Sequence, residues 1–172
     1  FAYFGISVAS AGDINGDGNS DLVAGAYSND INGSNSGRAY IFMNSMSGPD
    51  IPDLTITGAS DDDFLGYPSS KAGDVNGDGY DDIIVGASSY NAGTDQGRAY
   101  IFYGGAIINN TSDVTLTGVS ASDFFGNSAT YAGDVNGDGY SDLATPTVTI
   151  TKRSARERST SSSWSSSAGR RS

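Results

Sequence analysis

The chain has 172 residues, with 20 Asp and Glu against 9 Lys and Arg, no His and no Cys, and a net charge of −11. Without Cys there is no disulfide framework or thiolate metal site, and without His neither a Ser-His-Asp nor a Cys-His nucleophile can be assembled. The charge is unevenly spread: residues 1–150 hold every Asp against Arg38, Lys71 and Arg98, whereas residues 151–172 hold the other six cations against Glu157.

An acidic body repels nucleic acid and anionic lipid, so neither is an expected partner of that part. Acids gathered in loops, by contrast, attract divalent cations. No apolar run approaches the roughly 20 residues of a membrane span. The chain opens at Phe1 with neither Met nor a signal peptide, and reads as a fragment or a processed product.

In chain order, the pattern predicts a first strand over residues 6–11, then a Gly-rich acidic loop, "GDINGDGNSD", from Gly12. A second strand follows over 22–26, a third over 38–43 and a fourth over 53–57. In the fourth, Leu54 and Ile56 alternate with Thr55 and Thr57, as a strand with one buried face requires. The second is apolar throughout, which predicts burial on both faces. The same series then begins again. "GDVNGDGYDD" starts at Gly73 and "GDVNGDGYSD" at Gly133, which places the leading acids Asp13, Asp74 and Asp134 at steps of 61 and 60. "GRAYIF" stands at Gly37 and Gly97, "LTITG" at Leu54 is answered by "VTLTG" at Val114, and Gly5, Gly66 and Gly126 keep the step. Four antiparallel strands in about 60 residues make one β-propeller blade, a sheet that must bury its faces against neighbouring blades. The chain therefore reads as all-β, with blades over 1–58 and 59–118 and a partial blade over 119–144.

The acidic loops carry the chemistry. A chain reversal needs only one Asn-Gly or Asp-Gly pair, so the further acids require another reason. Calcium takes six to eight oxygen ligands, and acids at alternate positions of a tight turn can converge on one ion. In Asp-x-Asn-x-Asp-Gly-x-x-Asp, positions 1, 3, 5 and 9 offer side chains and position 7 a main-chain carbonyl. The candidate ligands are Asp13, Asn15, Asp17 and Asp21 with the carbonyl of Asn19. The second set is Asp74, Asn76, Asp78 and Asp82 with Tyr80, and the third Asp134, Asn136, Asp138 and Asp142 with Tyr140. Up to three Ca2+ ions are expected. An EF-hand is the rival motif, but its twelfth position needs a bidentate Glu where these loops have Ala24, Val85 and Thr145, and its exit is a helix rather than "LVAGA" or "IIVGA". A metal-free solvated turn is the plainer alternative, and it leaves the ninth-position Asp without a use. Three acids per loop repel one another without a cation, so the calcium is expected to be structural. Millimolar calcium outside cells would saturate even weak loops, which places the protein at the cell surface or beyond.

The run "FG", "AGDVNGDGYDDIIVGA", "GRAYIFYGG" resembles the FG-GAP repeat of integrin α-subunit propellers and of many bacterial extracellular proteins, over nearly all of residues 1–144. The resemblance implies a seven-bladed propeller with calcium loops between the first and second strands of a blade. The chain departs from the family in extent, holding two full repeats and the first half of a third. The function expected from it is a non-catalytic adhesion or recognition module with a protein or glycan partner. The alternative is an accessory propeller of a secreted enzyme, such as a phospholipase or other hydrolase, with the catalytic domain outside this chain.

Weaker features complete the reading. Asp63 and Asp123 are expected to cap turns. Arg38 and Arg98 are expected to neutralise nearby acids, and Phe4, Phe64, Phe124, Phe125, Tyr40 and Tyr100 to fill the space between blades. Asn32, Asn109 and Asn110 satisfy the N-glycosylation pattern. From Thr145 the pattern collapses into a Ser/Arg-rich tail over 145–172, read as disordered or as the product of a shifted reading frame.

Overall fold

The computed structural model of the protein describes residues 3–43, 51–90, 93–145, 148–151 and 165–167, and all the regular structure among them is β. Strands β1 (Ser7–Gly12), β2 (Asp21–Ala26), β3 (Arg38–Phe42) and β4 (Leu54–Thr57) form one sheet in that order. Strands β5 (Ser69–Gly73), β6 (Asp82–Ala87), β7 (Arg98–Phe102) and β8 (Val114–Thr117) repeat it. A third sheet joins β9 (Thr130–Gly133), β10 (Asp142–Thr145), β11 (Val148–Thr151) and β12 (Ser165–Ser167). All pairings are antiparallel between sequence neighbours, the meander of a propeller blade. The registers agree: Val23 faces Ile41 in the first sheet as Ile84 faces Ile101 in the second. The first strand pair of each sheet slips register next to its acidic loop, and Gly12, Gly73 and Gly133 there have φ of +79°, +72° and +80°. Such a bulge bends the strand and aims the loop that follows.

Neighbouring blades pack through two cores. Ile14, Val23, Ile41, Ile56, Leu65, Ile83 and Phe102 fill the space between the first and second sheets. Val75, Ile84, Ile101, Phe125 and Leu143 fill that between the second and third. Strand β1 lies against β5, and Ser7 and Ser69 tie the two together: the Ser7 hydroxyl donates to the Ser69 carbonyl at 3.3 Å and accepts from the Ser69 N–H at 3.0 Å. Close approach requires glycine at Gly25 and Gly86, where a Cβ would run into the carbonyl oxygens of Gly66 and Gly126 in the following repeat.

Two expectations are amended. Strand β6 is buried at every residue, but in β2 Leu22 is 40% exposed, because among the described residues none packs over the face of the first blade to which it points. The aromatic residues occupy two positions rather than one. Phe4, Leu65 and Phe125 precede the repeated glycine; Leu65 and Phe125 are buried between blades, whereas Phe4 on the uncovered face is 62% exposed. Tyr3, Phe64 and Phe124 stand one residue earlier with φ of +43°, +53° and +47°, and this turn directs them away from the core. Within the tail, Val148–Thr151 and Ser165–Ser167 pair as β11 and β12, Leu143 standing opposite Ile150 in register. The rest of the tail lies outside the described residues.

Candidate metal centres

Each acidic loop joins the end of a blade's first strand to the start of its second, and the three loops share one hydrogen-bond frame. The leading carboxylate closes the turn. Asp13 accepts from the N–H groups of Gly16 (2.8 Å), Asp17 (3.0 Å) and Gly18 (2.9 Å). Asp74 accepts from Gly77 (2.5 Å), Asp78 (3.1 Å) and Gly79 (2.9 Å). Asp134 accepts from Gly137 (2.7 Å), Asp138 (3.0 Å) and Gly139 (2.8 Å). The third-position Oδ1 of Asn15, Asn76 and Asn136 accepts from the fifth-position N–H. The fifth-position carboxylates of Asp17, Asp78 and Asp138 accept from the N–H of Asn19, Tyr80 and Tyr140. Gly18, Gly79 and Gly139, with φ of +86°, +94° and +87°, make the bend that brings these groups round.

The ninth-position acids lie deeper. Asp21, Asp82 and Asp142 are 3%, 0% and 0% exposed at the first residue of β2, β6 and β10. Each accepts from the N–H of the second loop position, Ile14, Val75 or Val135, at 2.8–2.9 Å. Asp82 also accepts from the Gly104 N–H at 2.8 Å. Burial pushes the Asp82 carboxyl up to about 7; the Gly104 and Val75 N–H groups oppose the rise and the charges of Asp78 and Asp74 add to it. Burial likewise raises Asp142, while the Asn19 N–H above all lowers the exposed Asp17. The second position is part of the design that acid spacing alone does not show. Ile14 and Val75 are buried in the inter-blade cores and anchor their loops there, whereas Val135 is 59% exposed.

All the predicted ligands of a set thus stand in one loop, and every available donor is a hard oxygen, the set that Ca2+ prefers. Among the described residues no three acidic side chains gather as a ready-made metal cluster; the leading carboxylates accept from N–H groups of their own loops. The Asn15 and Asn76 amides also donate to Asp17 and Asp78, at 3.2 and 2.7 Å. In the third loop the Asn136 amide turns instead to Asp142 at 3.3 Å, and Asp138 Oδ2 is buried without a hydrogen-bond partner. A buried carboxylate oxygen left unpaired inside an acidic loop fits a cation. The EF-hand alternative fails here as it does in the sequence, since all three loops exit into strands.

Other candidates resolve differently. Asp63 caps its turn, Oδ2 accepting from Ala59 (3.0 Å) and Ser60 (2.8 Å), and Asp123 does so from Ser120 (2.7 Å). Arg98 lies over the Tyr90 ring at 3.4 Å and donates to Thr117, while the ion pair among the described residues is Lys71 with Asp81, at 2.7 Å. Asn109 and Asn110 are exposed, and the exposed Asn32 has its amide donating to the Gly58 carbonyl. At the strand ends opposite the acidic loops, Ile6, Tyr27, Phe64, Tyr67 and Ser88 line an open groove of about 420 Å³. There Tyr27 stacks on Tyr3 at 5.6 Å and meets Phe64 at 5.7 Å.

The FG-GAP repeat profile matches residues 4–42 and 68–102. Integrin alpha-5 of Xenopus laevis is 33% identical over 152 residues, covering 83% of this chain and 14% of that protein. Integrin alpha-IIb of Mus musculus is 36% identical over 152 residues, with the same coverage of 83% and 14%. Integrin alpha-PS2 of Drosophila melanogaster is 34% identical over 152 residues, 83% of this chain and 10% of that protein. The chain therefore spans about 14% or less of the length of these relatives. With repeats matched in sequence and built as successive four-stranded antiparallel blades, the chain belongs to the FG-GAP repeat proteins and is similar to integrin α subunits.

Proposed function

We propose that this chain is a calcium-binding β-propeller segment for extracellular adhesion or recognition, in which calcium is structural and the partner is a protein or a glycan. The observation that carries the metal half is the threefold repetition of one oxygen-only frame, with a buried acid at its ninth position and, in the third loop, an unpaired buried carboxylate oxygen. The first site would be held by Asp13, Asn15, Asp17 and Asp21 with the Asn19 carbonyl. The second would be held by Asp74, Asn76, Asp78 and Asp82 with Tyr80, and the third by Asp134, Asn136, Asp138 and Asp142 with Tyr140. A bound divalent ion supplies positive charge that offsets the mutual repulsion of three carboxylates per loop. The backbone N–H groups bonded to each leading Asp preset the turn, so little further ordering is needed on binding.

The adhesion half rests on likeness to integrin α subunits, which favours it over the accessory-enzyme reading. The aromatic groove at the strand ends opposite the loops supplies a surface for it, since rigid rings recognise ligands at low entropic cost. Calorimetric titration with CaCl2 tests the metal half: three sites are expected, and Asp74→Ala should remove one. No binding at millimolar calcium, or equal uptake by a variant with Asp13, Asp74 and Asp134 all changed to Ala, would overturn it. Magnesium should compete poorly, because it keeps a tight octahedral shell of waters. Arrays of glycans and matrix proteins probed in calcium and in EGTA test the recognition half, which fails if no calcium-dependent signal appears.

A further inference from the structure

The loops of adjacent blades touch, and the first contact differs from the second. At both junctions a main-chain bond crosses between loops: the Asp81 N–H donates to the Asp13 carbonyl at 3.1 Å, and the Ser141 N–H to the Asp74 carbonyl at 2.9 Å. At both, the seventh-position tyrosine packs on the fourth-position glycine of the preceding loop. A Cβ on Gly16 would lie 2.6 Å from Tyr80, and one on Gly77 would collide with Tyr140. The first junction alone adds a carboxylate. Asp81 Oδ2 accepts from the Asp13 N–H at 3.0 Å, and Lys71 of β5 holds the same carboxylate at 2.7 Å. Gly12 makes room for it, since a Cβ there would collide with the Asp81 side chain. At the equivalent place in the third repeat stands Ser141, which brings a hydroxyl and no charge.

We infer that Asp81, held by Lys71, is a positioning residue supplied by the second blade to the first calcium loop: it fixes the backbone of Asp13 and so sets the affinity of that loop. The inference rests on the calcium reading given above. Asp13 is the leading ligand of its loop and closes the turn through three N–H groups, so any freedom at its own backbone is passed to the whole frame. Groups that orient a ligand without touching the metal typically change affinity by about 10–100-fold when removed. Among the described residues the second loop has no such charged partner from the third blade, where Ser141 stands in place of Asp81, so the coupling is assigned to the first junction.

Amide resonances of Gly16 and Gly18, Gly77 and Gly79, and Gly137 and Gly139 report the three loops separately in a CaCl2 titration followed by NMR on the full chain. The Gly105 N–H, bonded to the Ile14 carbonyl at 2.8 Å, reports whether the blade contact survives in each variant. Asp81→Ala should weaken the first loop by about tenfold and leave the third within about twofold; the third loop is the control, because Asp81 stands between Tyr80 and Asp82 of the second. Lys71→Met separates positioning from net charge. Loss of a cation should tighten calcium binding if only long-range charge matters, whereas a loosened Asp81 should weaken the first loop. Tighter binding in Lys71→Met, an unchanged first loop in Asp81→Ala, or equal weakening of all three loops would overturn the inference while leaving the calcium reading intact. Absence of calcium-dependent shifts in every loop of the unsubstituted chain would overturn both.

Discussion

At the scale of single residues, burial and close approach decide what each position tolerates. Asp63 is 1% exposed, and its burial raises the carboxyl above its ordinary 3.8, against the N–H groups of Ser60 and Ala59 and the charge of Arg98, with Asp61 adding to the rise. The folded chain therefore holds this proton more tightly than the unfolded chain does. Through this group, stability falls as pH rises from the unfolded value through the raised folded value. Asp63→Asn keeps an acceptor for the turn and removes the titration. Its advantage over the parent in urea midpoint should grow as pH rises from about 4 to neutrality; a gap that stays constant with pH would contradict the assignment. Gly25→Ala tests close approach. Its Cβ would meet the Gly66 carbonyl, which as main chain cannot swing aside, so a loss of about 2–3 kcal/mol in urea unfolding is expected.

At the scale of elements, identical places in the repeat differ in consequence because their neighbours differ. Leu22 and Ile83 occupy the same position in β2 and β6, yet Leu22 is 40% exposed and Ile83 2%, since among the described residues only Ile83 has a neighbouring sheet packed over it. Ile83→Ala should cost about 2–5 kcal/mol, and Leu22→Ala less than about 1 kcal/mol. Comparable losses in chemical denaturation would mean that the two strands share one environment. The strands themselves were legible: four of alternating or apolar pattern per repeat, with breaks at Gly, Asn and Asp, stand within a residue or two of the observed β1 to β4. The tail was less so, because the repeat breaks at Thr145 and "VTIT", which forms β11, carries none of the motif that marks the third strand of the other sheets.

For the whole molecule, stability should depend on the ions. Each loop carries three carboxylates within nine residues, and Ile6, Val8 and Leu22 on one face of the first blade are 47%, 58% and 40% exposed. A site at a hundredfold excess of calcium over its dissociation constant adds about 2.7 kcal/mol, a large share of a typical margin of about 5–15 kcal/mol. Thermal unfolding followed by circular dichroism should show a midpoint about 5–10 °C lower in EGTA than in calcium for each such site, at fixed ionic strength so that screening cannot imitate binding. An unchanged midpoint would mean that the N–H groups closing each turn hold the loops unaided.

By itself the sequence determined the repeat, the strand order within a blade and the membership of each acidic loop. These depend on local chemistry: side-chain alternation sets the strand, glycine sets the turn, and acids at fixed spacing share one loop. Only the tertiary structure decided which copies of a motif are equivalent. Leu65 and Phe125 are covered and Phe4 is not, Ile14 and Val75 anchor their loops and Val135 does not, and Asp81 reaches the backbone of Asp13 from 68 residues away. Burial and contact across blades depend on which sheet lies alongside, and a periodic sequence carries no mark of that until its blades are packed.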